Sequence, residues 1–150
     1  MSVKHNIDYS FVFGGDVKIW PGIKIELLDK KNKFIFGYIF LVDIDLAYDY
    51  EPEIKKILDT IEDYNEYDFI CENKTSFLHD LEIDKKYRNN NFAQILRQKS
   101  ELISKSLYYD YISSLTNKNN SISQHINKKL NYKIFKSNSN FDFFIKKFNF

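Results

Sequence analysis

The chain has little of what small proteins use to staple or punctuate a fold. Its single cysteine is Cys71, so no disulfide can form within the chain and a cysteine-built zinc site is excluded. Cys71 itself reads as a small buried hydrophobe, and the lack of a disulfide framework predicts a reducing, cytoplasmic setting. With two prolines and four glycines, no Pro- or Gly-rich linker divides the sequence, and 150 residues fit one domain over 1–150. Charge of one sign is also lacking. Lys and Arg number 22 against 21 Asp and Glu, which gives neither the basic face of a nucleic-acid binder nor an acidic tail. No nucleic-acid partner is expected. No apolar run approaches the roughly 20 residues of a membrane-spanning helix. The opening Met1-Ser2-Val3-Lys4-His5-Asn6 has no apolar signal segment, so neither membrane nor export is expected. Nothing suggests a metal site. Arginine is scarce, with only Arg88 and Arg97. The surplus of lysine and asparagine is a compositional bias before it is chemistry.

What is present is apolar. Hydrophobic residues make up 43% of the chain, enough to build a core and to exclude wholesale disorder. Residues 9–13 and 17–20 read as strand fragments around a Gly14-Gly15-Asp16 turn. Ile23-Lys24-Ile25-Glu26-Leu27 alternates with the period of a half-buried strand. After a polar turn at 29–32, residues 34–44 form its hairpin partner. Ile54, Ile57, Leu58 and Ile61 then mark one face of a helix over 52–64, opened by Pro52. A short strand at 67–71 is a further expectation.

The second half is more regular. A strand over 77–84 enters a polar loop, and a helix follows from Phe92, with Phe92, Ile95, Leu96, Leu102, Ile103 and Leu107 as its apolar positions. A strand at 109–115, a turn at 116–120, a helix with Ile122, Ile126 and Leu130 as its core face, and two strands at 132–136 and 141–148 complete the chain. The order is an N-terminal hairpin, then β-α-β-α-β-β. It predicts an α/β (α+β) fold with helices flanking one mixed sheet.

Where the strand meets the Phe92 helix, the first turn leaves N–H groups without partners at the positive end of the helix dipole. A phosphate can take those donors. The residues there are Leu81-Glu82-Ile83-Asp84-Lys85 followed by Lys86-Tyr87-Arg88-Asn89-Asn90-Asn91-Phe92-Ala93. They resemble the GNAT superfamily of N-acetyltransferases, whose strand Leu-x-Val-x-Pro leads into Tyr-Arg-Gly-x-Gly-x-Gly/Ala. The loop glycines are absent. Asparagine, the residue that best tolerates left-handed backbone after glycine, stands in their place. A second stretch, Asn120 to Tyr132, is similar to the family's Asn-x-x-Ala-x-x-x-Tyr-x-Lys-x-Gly-Phe helix. Asn120, Ser123 and Asn127 share a face there by i, i+3, i+7 spacing, and Asn131 replaces the terminal glycine. The resemblance covers about 77–148.

This resemblance implies acetyl-CoA as cosubstrate and an amine of a small molecule, peptide or protein as acceptor. It places the coenzyme on Leu81, Ile83, Arg88, Asn89, Asn90, Asn91, Phe92, Ala93, Asn120 and Ser123. Direct attack on a thioester needs a neutral amine, and an alkylammonium with a pKa near ~10.4 must first lose a proton to a base. Glu82 is the first choice among Glu82, Asp80 and His79, with His79 expected on the opposite strand face. The thioester oxygen needs an N–H donor, which the family draws from the strand here at Leu81 to Ile83. The family often has a leaving-group acid, a tyrosine, at the position of Asn127; asparagine can donate a hydrogen bond but not a proton of useful acidity. His125, about 200° around the helix from Asn127, is expected to point elsewhere, and Tyr108, Tyr109 and Tyr111 are further candidates. Many relatives place two helices between their first and second strands, whereas here the early helix follows the hairpin. A non-catalytic acyl-CoA-binding or protein-interaction module of the same fold is the alternative. The oligomeric state stays open, a homodimer included.

Overall fold

The computed structural model describes residues 9–15, 22–62 and 74–149. Cys71 and the expected strands at 17–20 and 67–71 lie outside them. Seven strands form one mixed sheet in the order β1-β2-β3-β4-β5-β7-β6. β2 (Ile23–Asp29) and β3 (Ile35–Asp43) are the expected hairpin. Asp29 shapes its turn, its carboxylate accepting from the N–H groups of Lys31 at 2.8 Å and Asn32 at 3.2 Å. β1 (Tyr9–Gly15) lies antiparallel along β2, from Tyr9 opposite Asp29 to Gly15 opposite Ile23. Gly14 and Gly15 therefore continue the strand and do not form the expected turn. An antiparallel ladder supplies their backbone groups with partners, and this outweighs the turn tendency of the Gly-Gly pair.

β3 runs straight into a helix that the sequence reading did not anticipate. Asp43 ends the strand, and its carboxylate accepts from the Asp45 N–H at 3.0 Å, opening α1 (Ile44–Tyr50). Glu51 does the same for α2 (Pro52–Leu58), accepting from the Glu53 N–H at 3.3 Å. The apolar run through Ile44 hid the boundary, because a buried strand and a buried helix turn look alike over a few residues.

β4 (Thr75–Ile83), a 3₁₀ turn at Lys85–Tyr87, α3 (Phe92–Ser106), β5 (Tyr111–Asn117), α4 (Ser121–Lys129), β6 (Lys133–Ser137) and β7 (Phe141–Lys147) follow in the expected order. One sheet face packs under α3 and α4, where Ile25, Leu27, Ile39, Leu41, Leu78 and Ile112 meet Phe92, Leu96, Ile126 and Leu130. On the other, Val42, Phe77 and Phe143 pack with Ile44, Ala47, Ile54, Ile57 and Leu58 of α1 and α2. The result is the α+β layered architecture expected of a mixed sheet flanked by helices.

α3 is rotated from its expected setting. Its buried positions are Phe92, Leu96, Arg97, Ser100 and Ser104, while Leu102 and Leu107 are 62% and 48% exposed. The i, i+4 row Phe92-Leu96-Ser100-Ser104 faces the sheet. Small hydroxyls let the helix approach closely, since Ser100 donates back to the Leu96 carbonyl at 2.8 Å and Ser104 lies 2.6 Å from Ser76 of β4. The C-terminal turns of α3 and α4 close alike. Tyr108 and Asn131 take left-handed backbone (φ 66° and 67°). The following N–H groups, of Tyr109 and Tyr132, reach back to the carbonyls of Ser104 and Asn127, a Schellman closure.

β3 and β4 approach closely where Gly37 pairs with Ile83. A Cβ at Gly37 would stand 2.5 Å from the Glu82 carbonyl oxygen and 3.2 Å from the Ile83 Cα, both main chain and unable to yield. Gly37→Ala is expected to lower stability by about 1–3 kcal/mol, read as a fall in the urea midpoint at unchanged slope.

Candidate functional site

Three features of the chain open a cleft at the centre of the sheet. The first is a parting of strands. β4 pairs with β5 only from Thr75 opposite Tyr111 to Leu78 opposite Ser114, after which β5 continues along β7 alone. The second is a bulge. Phe40 pairs with His79 and Tyr38 with Glu82, so β4 carries one residue more than β3 there, and Asp80 takes φ 53°. Tyr38 and Phe40 are two apart on one strand, so their partners share a face. The bulge therefore brings His79 and Glu82 to the same side, against the simple alternation expected from the sequence.

The third feature is the start of α3. α1, α2 and α4 each begin with a side chain that accepts from the helix, those of Asp43, Glu51 and Asn120. α3 begins at Asn91 in left-handed backbone, φ 63°, with no side-chain cap. Its first internal hydrogen bond runs from Ile95 to the Asn91 carbonyl. Among the described residues, the N–H groups of Phe92, Ala93 and Gln94 have no acceptor. Asn89 also has positive φ, 67°, so two of the three loop asparagines adopt the backbone that glycine would take most easily. The third, Asn90, is buried and donates to the Tyr87 carbonyl at 3.1 Å, tying the loop back on itself.

An aromatic seat fixes this helix start. Phe92 is 1% exposed, and its ring lies 4.6 Å from Phe36. Tyr87 packs on Phe36 at 4.7 Å and stacks on Phe34 at 5.1 Å. Contacts of this kind are worth several kcal/mol together, on the order of 3–5 for losing one buried Phe. They hold the uncapped amides at the cleft.

The cleft encloses about 640 Å³. Leu81, Glu82, Ile83, Arg88, Asn89, Asn91, Phe92, Ala93, Asn120 and Ser123 line it. All of these were singled out from the sequence. Arg88 is anchored at the rim, its Nε donating to the Ile83 carbonyl at 3.2 Å. Asn120 caps α4 by accepting from the Ser123 N–H at 3.1 Å. Ile122 and His125 also line the cleft. Ile122 is 70% exposed and so is not the core residue expected; it stands in the first turn of α4, on the cleft wall. Tyr108 is 87% exposed at the far end of α3, and Tyr109 donates to Asp43 Oδ2 at 2.9 Å. None of Tyr108, Tyr109 and Tyr111 is among the residues that line the cleft.

Asn127 is placed elsewhere. It is 0% exposed, and both ends of its amide are engaged. Oδ1 accepts from Arg97 Nη2 at 2.6 Å and from Ser114 at 3.4 Å, and Nδ2 donates to Thr116 at 2.9 Å. The guanidinium of Arg97, itself 4% exposed, stands 4.5 Å over the Tyr132 ring. Burial pushes the Tyr132 hydroxyl above the usual tyrosine range, with Arg97 opposing and Glu101 adding to the rise. The ring therefore stays neutral, and its hydroxyl donates to Glu101 at 3.4 Å. Sequence reasoning missed this buried arginine. Its one signal is scarcity, since Arg97 is one of only two arginines in a lysine-rich chain and Arg suits buried, stacked positions better than Lys.

Among the described residues, no helix is long and apolar enough to cross a membrane. No family model matches the sequence, and no curated protein matches it. Solved structures do match. A GNAT-family acetyltransferase from Listeria monocytogenes 4b F2365 superposes with a TM-score of 0.64 at 7% identity, over 83% of this chain and 64% of that one. PaiA N-acetyltransferase from Thermoplasma acidophilum, solved with coenzyme A, gives 0.58 at 13% identity, over 83% and 60%. The NatC complex bound to Gag peptide and coenzyme A gives 0.58 at 12%, over 84% and 71%. The chain thus spans under two thirds of the length of the first two. The fold is that of the GNAT acetyltransferases.

The Arg97–Asn127 contact makes a prediction independent of any ligand. Asn127→Ala strips a buried cation of its hydrogen-bond acceptor and should cost about 1–3 kcal/mol or more, measured by thermal or urea unfolding. The double variant Arg97→Leu with Asn127→Leu should recover part of that loss, because the buried charge goes with its acceptor and only the Ser114 and Thr116 hydroxyls lose a partner.

Proposed function

We propose that this chain is an acetyl-CoA-dependent N-acetyltransferase, moving an acetyl group to an amine of a small molecule, peptide or protein. The observation that carries the reading is the uncapped start of α3, aimed into a cleft beside left-handed Asn89 and Asn91. Amides held apart from protein acceptors at the positive end of a helix suit a diphosphate. Coenzyme A carries one, and a coenzyme A complex of the same fold supports the choice.

In this reading the diphosphate meets the main-chain N–H groups from Arg88 to Ala93, with the Arg88 guanidinium at the rim adding charge. The pantetheine arm runs between β4 and the first turn of α4, past Ser123. The thioester reaches the part of β4 beyond Leu78 that β5 no longer pairs. An N–H of Leu81 to Ile83 donates there to the oxygen that becomes negative during attack. Glu82, exposed on the cleft wall, accepts a proton from the incoming ammonium, so that a neutral nitrogen attacks the thioester carbon. Coenzyme A leaves as its thiolate.

Asn127 supports a second reading. Where the family resemblance puts a leaving-group acid, the chain has an amide locked in the core. A module that binds acyl-CoA without turnover fits that feature equally.

Titration with acetyl-CoA separates these readings from a pure protein-interaction module. A concentration-dependent rise in melting temperature is expected, about 2.7 kcal/mol of stabilisation at a hundredfold excess over Kd. No shift at millimolar acetyl-CoA would contradict both coenzyme readings. Release of free thiol with a panel of amines then distinguishes enzyme from binder, and Glu82→Gln should lower turnover without altering the coenzyme-induced shift.

Loop conformation gives a further prediction. Asn91→Val forces a β-branched residue into left-handed backbone, a strain of about 1–3 kcal/mol. It should weaken coenzyme binding by at least tenfold in isothermal titration, whereas Asn91→Gly should preserve it. Equal affinity in all three proteins would remove the loop from the site.

A further inference from the structure

The sheet face turned away from α3 carries a second arrangement, and it meets the cleft at Glu82. Ile39 and Leu41 point into the α3 side of the core, so Tyr38 and Phe40 project from the other face, half-buried. Lys24 of β2 reaches over them. Its Nζ lies 4.7 Å from the Tyr38 ring centroid and 5.7 Å from that of Phe40. Phe40 stacks on His79, centroids 5.1 Å apart at 17°. Carboxylates border the rings. Glu26 comes within 3.9 Å of the Lys24 ammonium, and Glu82 is the cross-strand partner of Tyr38. Burial, with the charges of Glu82 and Asp80, raises the Tyr38 hydroxyl above the usual tyrosine range.

Two aromatic faces and one carboxylate around one ammonium, with Glu82 paired across from one of the rings, form the chemistry that recognises alkylammonium ions. Lys24 holds its place loosely. Its side chain is 36% exposed, and one ion pair with two ring contacts at that exposure restrains it little. Glu82 belongs both to this shelf, through its pairing with Tyr38, and to the cleft wall. We infer that the shelf is the acceptor subsite, that it takes a primary alkylamine as its ammonium, and that Lys24 is a built-in competitor for the place. The inference rests on the acetyltransferase reading and adds to it the class of acceptor. The ammonium seated on Tyr38 and Phe40 gives one proton to Glu82. The freed lone pair forms the C–N bond as the C–S bond breaks, the second proton leaves the nitrogen for water, and the electron pair of the broken bond departs on the thiolate.

The test uses n-butylammonium chloride and n-butanol, which match in shape and differ in charge. Ring signals of Tyr38 and Phe40 are followed by NMR in the intact protein. Saturable shifts are expected with n-butylammonium at concentrations where n-butanol gives little. Lys24→Gln should tighten n-butylammonium several-fold by vacating the shelf. Tyr38→Leu with Phe40→Leu should weaken it by about tenfold, within the range of a partly desolvated cation–π contact, and Tyr38→Phe should preserve it. The melting-temperature response to acetyl-CoA, retained in each variant, certifies the fold. Equal response to ammonium and alcohol, or weaker binding in Lys24→Gln, overturns the shelf. Selective ammonium binding by a protein that shows no acetyl-CoA response overturns the acceptor role and the acetyltransferase reading together, while leaving the cation site in place. With both responses present, thiol release faster with n-butylamine than with an uncharged arylamine, and a Michaelis constant for n-butylamine that falls in Lys24→Gln, support the assignment. The opposite order overturns it.

Discussion

A helix that begins inside a protein leaves its first N–H groups without backbone acceptors, and chains commonly satisfy them with a short polar side chain. This protein does so at α1, α2 and α4 through Asp43, Glu51 and Asn120. At α3 it does not, although an asparagine stands at the N-cap there too. The difference is conformational. Asn120 has φ −86° and turns its amide toward its own helix, whereas Asn91, at φ 63°, is left-handed and makes no such bond. Left-handed backbone at Asn89 and Asn91 carries a strain cost that the Phe36, Tyr87 and Phe92 packing offsets. The aromatic seat and the open amides are one device, since the seat lets a helix start stay unsatisfied and stay in place.

The rest of the site follows from pairing geometry. A parallel β4–β5 ladder that stops after Leu78 leaves the end of β4, which lines the cleft, unpaired on that side. The extra residue near Asp80 re-aims the end of β4. Without the bulge, His79 and Glu82 would lie on opposite faces, and Glu82 could not pair across to Tyr38. Gly37 permits the close approach that holds this register, because its missing Cβ leaves room for the Glu82 carbonyl. A single glycine on β3 thus bears on where a carboxylate of β4 points.

Element order was largely legible in the sequence, because strands such as Ile23 to Leu27 and the Phe92 helix carry clear periodicity. The cleft lining was legible where a local pattern determines it, a strand, a polar loop and a helix start in direct succession. Faces were less legible. Asn127 was read with Asn120 and Ser123 because i, i+3, i+7 spacing puts the three on one helix face, yet it lies in the core holding Arg97. Neither residue makes sense inside alone, and no local pattern links positions 97 and 127. Leu102 and Ile122 were read as core by spacing and are exposed, since periodicity names a stripe but not how far along the helix the sheet extends. The bulge at Asp80 had no sequence mark, because aspartate, though enriched in left-handed backbone, adopts ordinary backbone at most of its positions.

The locked amide of Asn127 bears on how much chemistry the chain must supply under the proposed reading. Acetyl transfer from a thioester releases a thiolate, and a thiol with a pKa near 8.5 is only modestly basic at neutral pH. A missing acid therefore leaves a small deficit. An alkylammonium with a pKa near 10.4 is different. At neutral pH only about one molecule in 2,500 is free amine, a penalty of roughly 4–5 kcal/mol if nothing assists. The step that needs the protein is deprotonation of the acceptor, not protonation of the leaving group. Under that reading the chain's resources match the imbalance: two aromatic faces and a carboxylate surround the ammonium of Lys24, with Glu82 paired across from one of the rings, while Asn127 is given over to stabilising a buried arginine.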